Sequence, residues 1–551
     1  MALITVALLV LLSCSTVALD SPNIVILFAD NLGYNDVGVF GAASAKTPNI
    51  DRLGREGLKL NNWNSAAHLC SASRAALITG KYPAKMGIYP RVFGPDSVYG
   101  LSPNETTIAE YLPGYASAIV GKWHLGHRPE YLPTNQGFEE WIGIPYHMSG
   151  GSVDNHTCFQ DKDDTLWLPL YQGGTILQQP VRLQELAKVY ADAANKFMRK
   201  HHATQSPFFL YLPFSHVHQL CAPKFGNEQK TCQWGRTGPS TFVDSVEEMD
   251  WIAGQVLDTL DELGISNDTI VLFTSDNGPW VAEQECSGSK GPFEGRWLQD
   301  NTDLTCTACP SDYEPSPTSE NTRRCVMPGQ NQEVKGVHCG ADTGLGSVWE
   351  ANLRMPALVR WPGVIPARKE SNEMVSTLDV IPTLLSLLGI SVPSVLDGID
   401  ISQLWKHPDT TVLKERALFF WRDGFRHGPL PPPYGRFDIA AVKLGRIKAW
   451  FWTKSAHYNT DEEVHHYPNP LLFDVIADPA EAFPLDPLQY SDVIARIREL
   501  TIEHKNSIPE VFPFALPTDR AYIPCYDPKT GCRSPSSSIN VLSEETSVTK
   551  Q

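Results

Sequence analysis

The sequence predicts an α/β fold. A large mixed, mostly parallel sheet is flanked by helices and followed by a smaller C-terminal antiparallel sheet subdomain with one helix. Three observations carry this. Short runs of apolar, β-favouring residues recur along the chain, two of them ending in acidic and amide groups. Helical periodicity fills the stretches between them. After about Arg436 the apolar runs crowd together with no long helix between them.

Residues 24–29 form the first run, which ends in Asp30. An unbroken apolar run suits a strand covered on both faces, the pattern of a parallel sheet. Residues 116–120, 208–212 and 270–275 repeat it. Residues 183–198 read as a helix, and Met249, Ile252, Val256, Leu257 and Leu260 fall on one face of another. Ligands of such sheets gather beyond the carboxyl ends of the strands, and two ends here carry Asp30-Asn31 and Asp276-Asn277. Residues 281–346 are rich in Gly, Pro, Ser, Asn and Cys and read as a long cross-linked insertion. Residues 439–442, 447–452 and 471–475 read as antiparallel strands, and 492–504 as a helix. The organisation expected is a leader at 1–18, a main domain at 19–435, a C-terminal subdomain at 436–534 and a Ser-rich disordered tail at 535–551.

The 551 residues carry a net charge of −17 and no run of Lys or Arg, which argues against nucleic acid or an anionic membrane surface as partner. A hydrophobic content of 42% with 19% charged residues supplies a large core and excludes wholesale disorder. Residues 1–19 have no charged side chain before Asp20, and Thr16-Val17-Ala18 offers a cleavage site after Ala18. This reads as a secretory signal peptide, although the basic residue usual near its start is absent. The run is short for a membrane anchor, and no later run reaches about 18 apolar residues, so a mature protein with no membrane span is expected. Of the 12 cysteines, Cys14 leaves with the leader and Cys70 is reserved for chemistry, leaving an even set for disulfides in an oxidising compartment. Cys525 and Cys532 are expected to pair. Cys306 and Cys309 resemble half a zinc site, but no second close pair follows, which favours disulfides. Asn104, Asn155 and Asn267 each begin a glycosylation sequon.

Oxygen donors at Asp30, Asn31, Asp276 and Asn277 favour one hard cation, Ca²⁺ or Mg²⁺. Asp and Asn also form ordinary turns, so these dipeptides alone decide little. Cys70-Ser71-Ala72-Ser73-Arg74, with Leu77-Ile78-Thr79-Gly80-Lys81 behind it, resembles the sulfatase signature Cys-x-Pro/Ala-x-Arg. The resemblance extends to residues 22–34, to Gly121-Lys122-Trp123-His124-Leu125-Gly126, to Ser215-His216-Val217-His218 and to residues 273–278, in the order the family has them. Within that family the chain looks most like animal arylsulfatases of the A and G type.

The resemblance implies a sulfuric ester hydrolase of the alkaline-phosphatase-like superfamily. Cys70 would be oxidised to formylglycine by a formylglycine-generating enzyme during secretion. The cation would be held by Asp30, Asn31, residue 70, Asp276 and Asn277. One hydroxyl of the hydrated aldehyde would attack sulfur, aided by Arg74. Lys122 would hold sulfuryl oxygens, His218 would protonate the leaving alcohol, and His124 would take the proton that collapses the sulfated intermediate to aldehyde and sulfate. His147 stands where related arylsulfatases have Ser and joins Lys122 and His218 as a substrate contact. The compartment implied is lysosomal or extracellular.

Three departures bear on turnover, of which His147 in place of Ser is one. Asn31 replaces an Asp, which removes one negative charge from the cation site. Glu350-Ala351-Asn352-Leu353-Arg354-Met355-Pro356 replaces a Glu-Gly-Gly-x-Arg-x-Pro segment. The substrate lysine that precedes that segment in the family falls on Leu345 by one count and Ala341 by another, and Lys335 or Lys290 would have to reach in from the insertion. Two further readings follow. One is a secreted sulfatase-like protein with weak or no catalysis and a binding or structural role. The other is a phosphatase or phosphodiesterase, against which Cys70 argues.

Overall fold

The computed structural model describes residues 21–88, 92–147, 168–179, 181–218, 241–281, 287–301, 343–409, 415–421, 438–454, 464–509 and 517–524, with three short strands between 314 and 338. A ten-stranded sheet forms the centre. Its order is Lys369–Ser371, Leu58–Leu60, Leu358–Arg360, Thr269–Ser275, Asn23–Ala29, Phe208–Pro213, Ala116–Val120, Glu140–Gly143, Leu170–Gln172 and Thr175–Gln178. The five strands from Thr269–Ser275 to Glu140–Gly143 are all parallel, and the antiparallel pairings lie outside them.

The central strand explains why apolar runs mark these elements. Val25, Leu27 and Ala29 point to one face and pack with helices Leu183–Ala203 and Thr241–Glu262. Ile24, Ile26 and Phe28 point to the other, toward helices Cys70–Thr79 and Val380–Leu387. Each fully buried side chain of this kind contributes about 1.5–3 kcal/mol of burial free energy. With both faces covered, no polar position is tolerated until the strand ends. There the parallel direction sets five polar ends side by side: Asp30, Asp276, Ser215 to His218, Lys122 to His124, and His147.

A second sheet is a four-stranded antiparallel meander, Ala417–Trp421, Ile439–Leu444, Ile447–Lys454 and Val464–Asp474. Helix Ser491–Asn506 packs on it through Val493, Ile494, Ile497 and Leu500. Its first strand precedes Arg436, so the sheet begins before the point where the sequence pattern changes. The last strand carries Pro468 and Pro470, which an edge position tolerates because the missing N–H groups are not needed there.

Asn104 and Asn267 are exposed. Asn155, Cys525, Cys532, Cys306, Cys309, the leader and the tail lie outside the described residues. Cys70 is a free, buried thiol. No described helix is long and apolar enough to cross a membrane.

Candidate active site

Cys70 opens helix Cys70–Thr79, every residue of which is buried. Its Sγ lies 3.7 Å from both Asp30 Oδ1 and Asn31 Oδ1. Asn31 leaves its strand with φ 59°, a left-handed conformation that Asn adopts more readily than most residues, and its N–H donates to Asp276 Oδ1 at 3.1 Å. The neighbouring strand end delivers Asn277, whose Nδ2 donates to Asn31 Oδ1 at 2.7 Å. Arg74, one helical turn beyond Cys70, meets Asp276 at 2.8 Å and Asp30 at 3.3 Å. Lys122 Nζ meets Asp30 Oδ2 at 2.5 Å. Two carboxylates and two cations are thus buried together.

Three imidazoles flank this cluster. His124 and His147 stand with ring centroids 5.4 Å apart, edge to face, and His147 stacks on His218 at 5.9 Å. Ser71 Oγ donates to the His124 carbonyl, which holds that left-handed residue (φ 60°) against the helix that Cys70 opens. The His218 segment is laced to Asp30 by two main-chain bonds, Asp30 N–H to His216 O and Val217 N–H to Asp30 O. Both His124 ring nitrogens and His218 Nδ1 are buried without a hydrogen bond.

Burial alone would raise the Asp30 carboxyl, but Lys122 and then Arg74 override it and hold the group below the usual carboxylate range. Asp276 moves the other way, raised by burial and by the charge on Asp30. Burial also pushes the Cys70 thiol up, so the unmodified residue is a neutral thiol and a poor nucleophile. Burial, with Lys122 next, keeps His124 well below its ordinary value. Burial lowers His218 to about 4 with Asp30 opposing, and lowers His147 to about 3. All three rings are neutral near pH 7.

The residues present fit a hard cation. One donor atom each from Asp30, Cys70 and Asp276 lies within 4.8 Å of the others. Asn31 adds an oxygen beside Cys70, and Asn277 Oδ1 is buried with no hydrogen bond, an uncommitted oxygen donor. Oxygen donors of this kind select Ca²⁺ or Mg²⁺ over softer metals.

The structure brings Asp30, Asn31, Cys70, Arg74, Lys122, His124, His147, His218, Asp276 and Asn277 together. Lys290 Nζ is engaged by Glu294 Oε2 at 3.0 Å and by Thr343 Oγ1 at 3.3 Å. Leu345 is buried, and its N–H donates to Pro279 O at 2.9 Å, two residues past Asn277. The Lys335 side chain and Ala341 lie outside the described residues. The sequence does not reveal Ser65, whose Oγ is 2.6 Å from the Asp276 carbonyl and 3.0 Å from Ser73 Oγ on the Cys70–Thr79 helix. Nothing in its local sequence signals that contact. Asn352, read from sequence only as a departure, is wired into both loops of the site.

Residues 22–390 match the family Sulfatase, and residues 414–534 match the family described as the C-terminal region of aryl-sulfatase. Arylsulfatase G of Rattus norvegicus is 33% identical over 84% of this chain and 82% of its own length. Arylsulfatase A of Homo sapiens is 34% identical over 87% of this chain and 86% of its own length. The crystal structure of the PsFucS1 sulfatase from Pseudoalteromonas sp. shares the fold, with a TM-score of 0.68 and 24% identity over 89% of this chain and 92% of that one. With both regions matched in chain order and relatives aligned along most of its length, the chain belongs to the sulfatase family, enzymes that hydrolyse sulfate esters.

Proposed function

We propose that this sulfatase cleaves an aryl, sugar or steroid sulfate with a formylglycine made from Cys70 by the formylglycine-generating enzyme. The observation that carries the reading is the setting of Cys70: a buried, neutral thiol at a helix start, within 3.7 Å of two oxygen donors and flanked by two cations. A thiol in that setting makes a weak nucleophile. A hydrated aldehyde at the same position offers a hydroxyl in its place.

One Ca²⁺ or Mg²⁺ held by Asp30, Asn31, Asp276, Asn277 and residue 70 would supply Lewis acidity to the sulfuryl group. The chain's own groups do the rest. Arg74 fixes Asp30 and Asp276 and adds positive charge behind residue 70. Lys122 is a point charge for the sulfuryl oxygens, where negative charge grows in the transition state. His218 faces the leaving oxygen as proton donor. Its neutral state in the free protein changes when an anionic sulfate ester sits beside it, because a nearby negative charge favours imidazolium. His124, neutral and free of hydrogen bonds, is ready to accept a proton from residue 70. His147 lies between these two rings and contacts the substrate. The domains proposed are a catalytic unit from residue 19 and a C-terminal subdomain that ends at 534 and takes in the strand Ala417–Trp421, made in the secretory pathway for a lysosomal or extracellular site.

A second reading, weak or absent turnover with a binding role, is favoured by Leu345 and by the engagement of Lys290 with Glu294. The test is release of sulfate from a chromogenic aryl sulfate by protein secreted from competent cells. Hydrolysis by the wild type and its loss in Cys70→Ala support the first reading. No hydrolysis by wild type supports the second, and equal hydrolysis by both proteins removes residue 70 as nucleophile.

A further inference from the structure

The one-turn helix Glu350–Leu353 lies between the C-terminal sheet and the site. On its outer side the fully buried Glu350 meets Lys443 at 2.8 Å, Lys448 at 3.1 Å and Arg354 at 2.8 Å. Both lysines belong to the C-terminal sheet and both are fully buried. Lys443 also donates to Asn64 Oδ1 at 2.9 Å and Asn62 Oδ1 at 3.2 Å, just ahead of Ser65.

On the inner side Asn352 is fully buried. Its Nδ2 donates to His68 O at 2.9 Å and to Ser347 O at 2.7 Å, and its Oδ1 accepts from the Gly278 N–H at 3.0 Å. His68 stands two residues before Cys70, and Gly278 directly follows Asn277. One carboxamide therefore ties the chain entering the nucleophile helix to the chain leaving the metal strand. The contact has no slack, since a Cβ at Gly278 would stand 2.1 Å from Ala351 O.

We propose that Asn352 is a positioning residue of this site, and that the C-terminal sheet acts on the site through it, by way of Lys443 and Glu350. Removing the carboxamide leaves two of its main-chain partners hydrogen-bonded. His68 O still accepts from the Gly346 N–H at 3.0 Å, and the Gly278 N–H still reaches Asn352 O at 2.9 Å. The fold keeps those bonds and loses the cross-link. What changes is the spacing between Cys70 and the Asp276-Asn277 pair, and errors of about 1 Å in such spacing are costly in rate.

The activity readout rests on the sulfatase reading, while the calcium readout does not. Calorimetry on the full chain is expected to show Asn352→Ala binding Ca²⁺ about tenfold more weakly, with kcat on an aryl sulfate lowered about tenfold and KM changed less. Ile497→Ala, which cuts into the core of the C-terminal sheet and its helix, is expected to lower the thermal midpoint without moving calcium affinity. Lys443→Met is expected to weaken calcium binding in the same direction. The double variant with Asn352→Ala should be no worse than the weaker-binding single variant, as expected of two residues acting through one route. Should Asn352→Ala fail to accumulate, Asn352→Leu keeps the volume, loses both donors and the acceptor without adding a charge, and carries the same expectation. Unchanged calcium affinity and kcat in the Asn352 variant overturns the positioning role. Losses that multiply in the double variant overturn the route through Lys443. A wild type that binds calcium but releases no sulfate counts against the sulfatase reading alone, and the calcium comparison still decides this one.

Discussion

Lys122 Nζ stands 2.5 Å from Asp30 Oδ2, with both side chains fully buried. The lysine neutralises Asp30, and in the proposed mechanism it also faces the sulfuryl oxygens. Lys122→Met removes both. It is expected to lower kcat on an aryl sulfate by about 10²-fold or more, as loss of one transition-state donor does. Lys122→Arg should not restore it, because a planar fork does not replace a point charge. Steady-state kinetics of the two variants check this, and a kcat near wild type in Lys122→Met would leave the residue a structural counter-ion only.

Leu345 hydrogen-bonds Pro279 through its N–H, which sets position 345 beside the strand end that carries Asn277. A cation restored there would be fixed in place, and nothing in solution substitutes for a fixed ammonium. Leu345→Lys is therefore expected to raise kcat/KM at saturating calcium. Asn31→Asp restores a charge to the cation site and should help mainly when calcium is scarce, because raising free calcium fills a weak site by mass action. Kinetics of both variants, with Ala341→Lys alongside, at low and high calcium check the ordering. A gain from Asn31→Asp at saturating calcium with none from either lysine variant would make the cation ligand the main defect.

The buried parallel strands were the legible part of the fold. Residues 116–120 coincide with the observed strand, and 24–29, 208–212 and 270–275 each fall one residue short at one end. Double-sided burial writes an unbroken apolar run, which marks each of these strands. Strands such as Leu58–Leu60, Leu358–Arg360 and Lys369–Ser371 are three residues each and carry no period long enough to read. Ala417–Trp421 is an apolar run of the same kind, but it lies ahead of the change of pattern near Arg436 and so does not announce the antiparallel sheet to which it belongs. In the site, motif residues could be found because each lies next to a strand end or helix start. Ser65, Asn352 and Lys443 could not, because their partners are distant in sequence: Ser65 meets Asp276, and Lys443 meets Asn64.

His504 supplies a pH prediction away from the site. Its ring lies parallel to Phe419 at 4.1 Å and accepts the Trp421 indole N–H at 3.2 Å. Burial, helped by the charge on Lys85, lowers its pKa to about 3. The unfolded chain titrates near 6.5, so below that pH it takes up a proton that the folded chain refuses. Stability from this group is therefore present above about pH 6.5 and lost as pH falls toward 3, a cost of about 2 kcal/mol by pH 5. The thermal midpoint of the wild type is expected to drop more between pH 7 and pH 5 than that of His504→Phe. Equal drops would mean the ring is protonated in the fold.

The most direct measurement is the mass of the tryptic peptide spanning residues 60–74, taken from protein secreted by cells that contain the formylglycine-generating enzyme. In the proposed mechanism nucleophile, cation set and proton acceptor all depend on conversion of Cys70 to an aldehyde. The result expected is the mass of formylglycine at residue 70, trapped as a hydrazone by a carbonyl reagent. An intact thiol at Cys70 in that material would contradict the account.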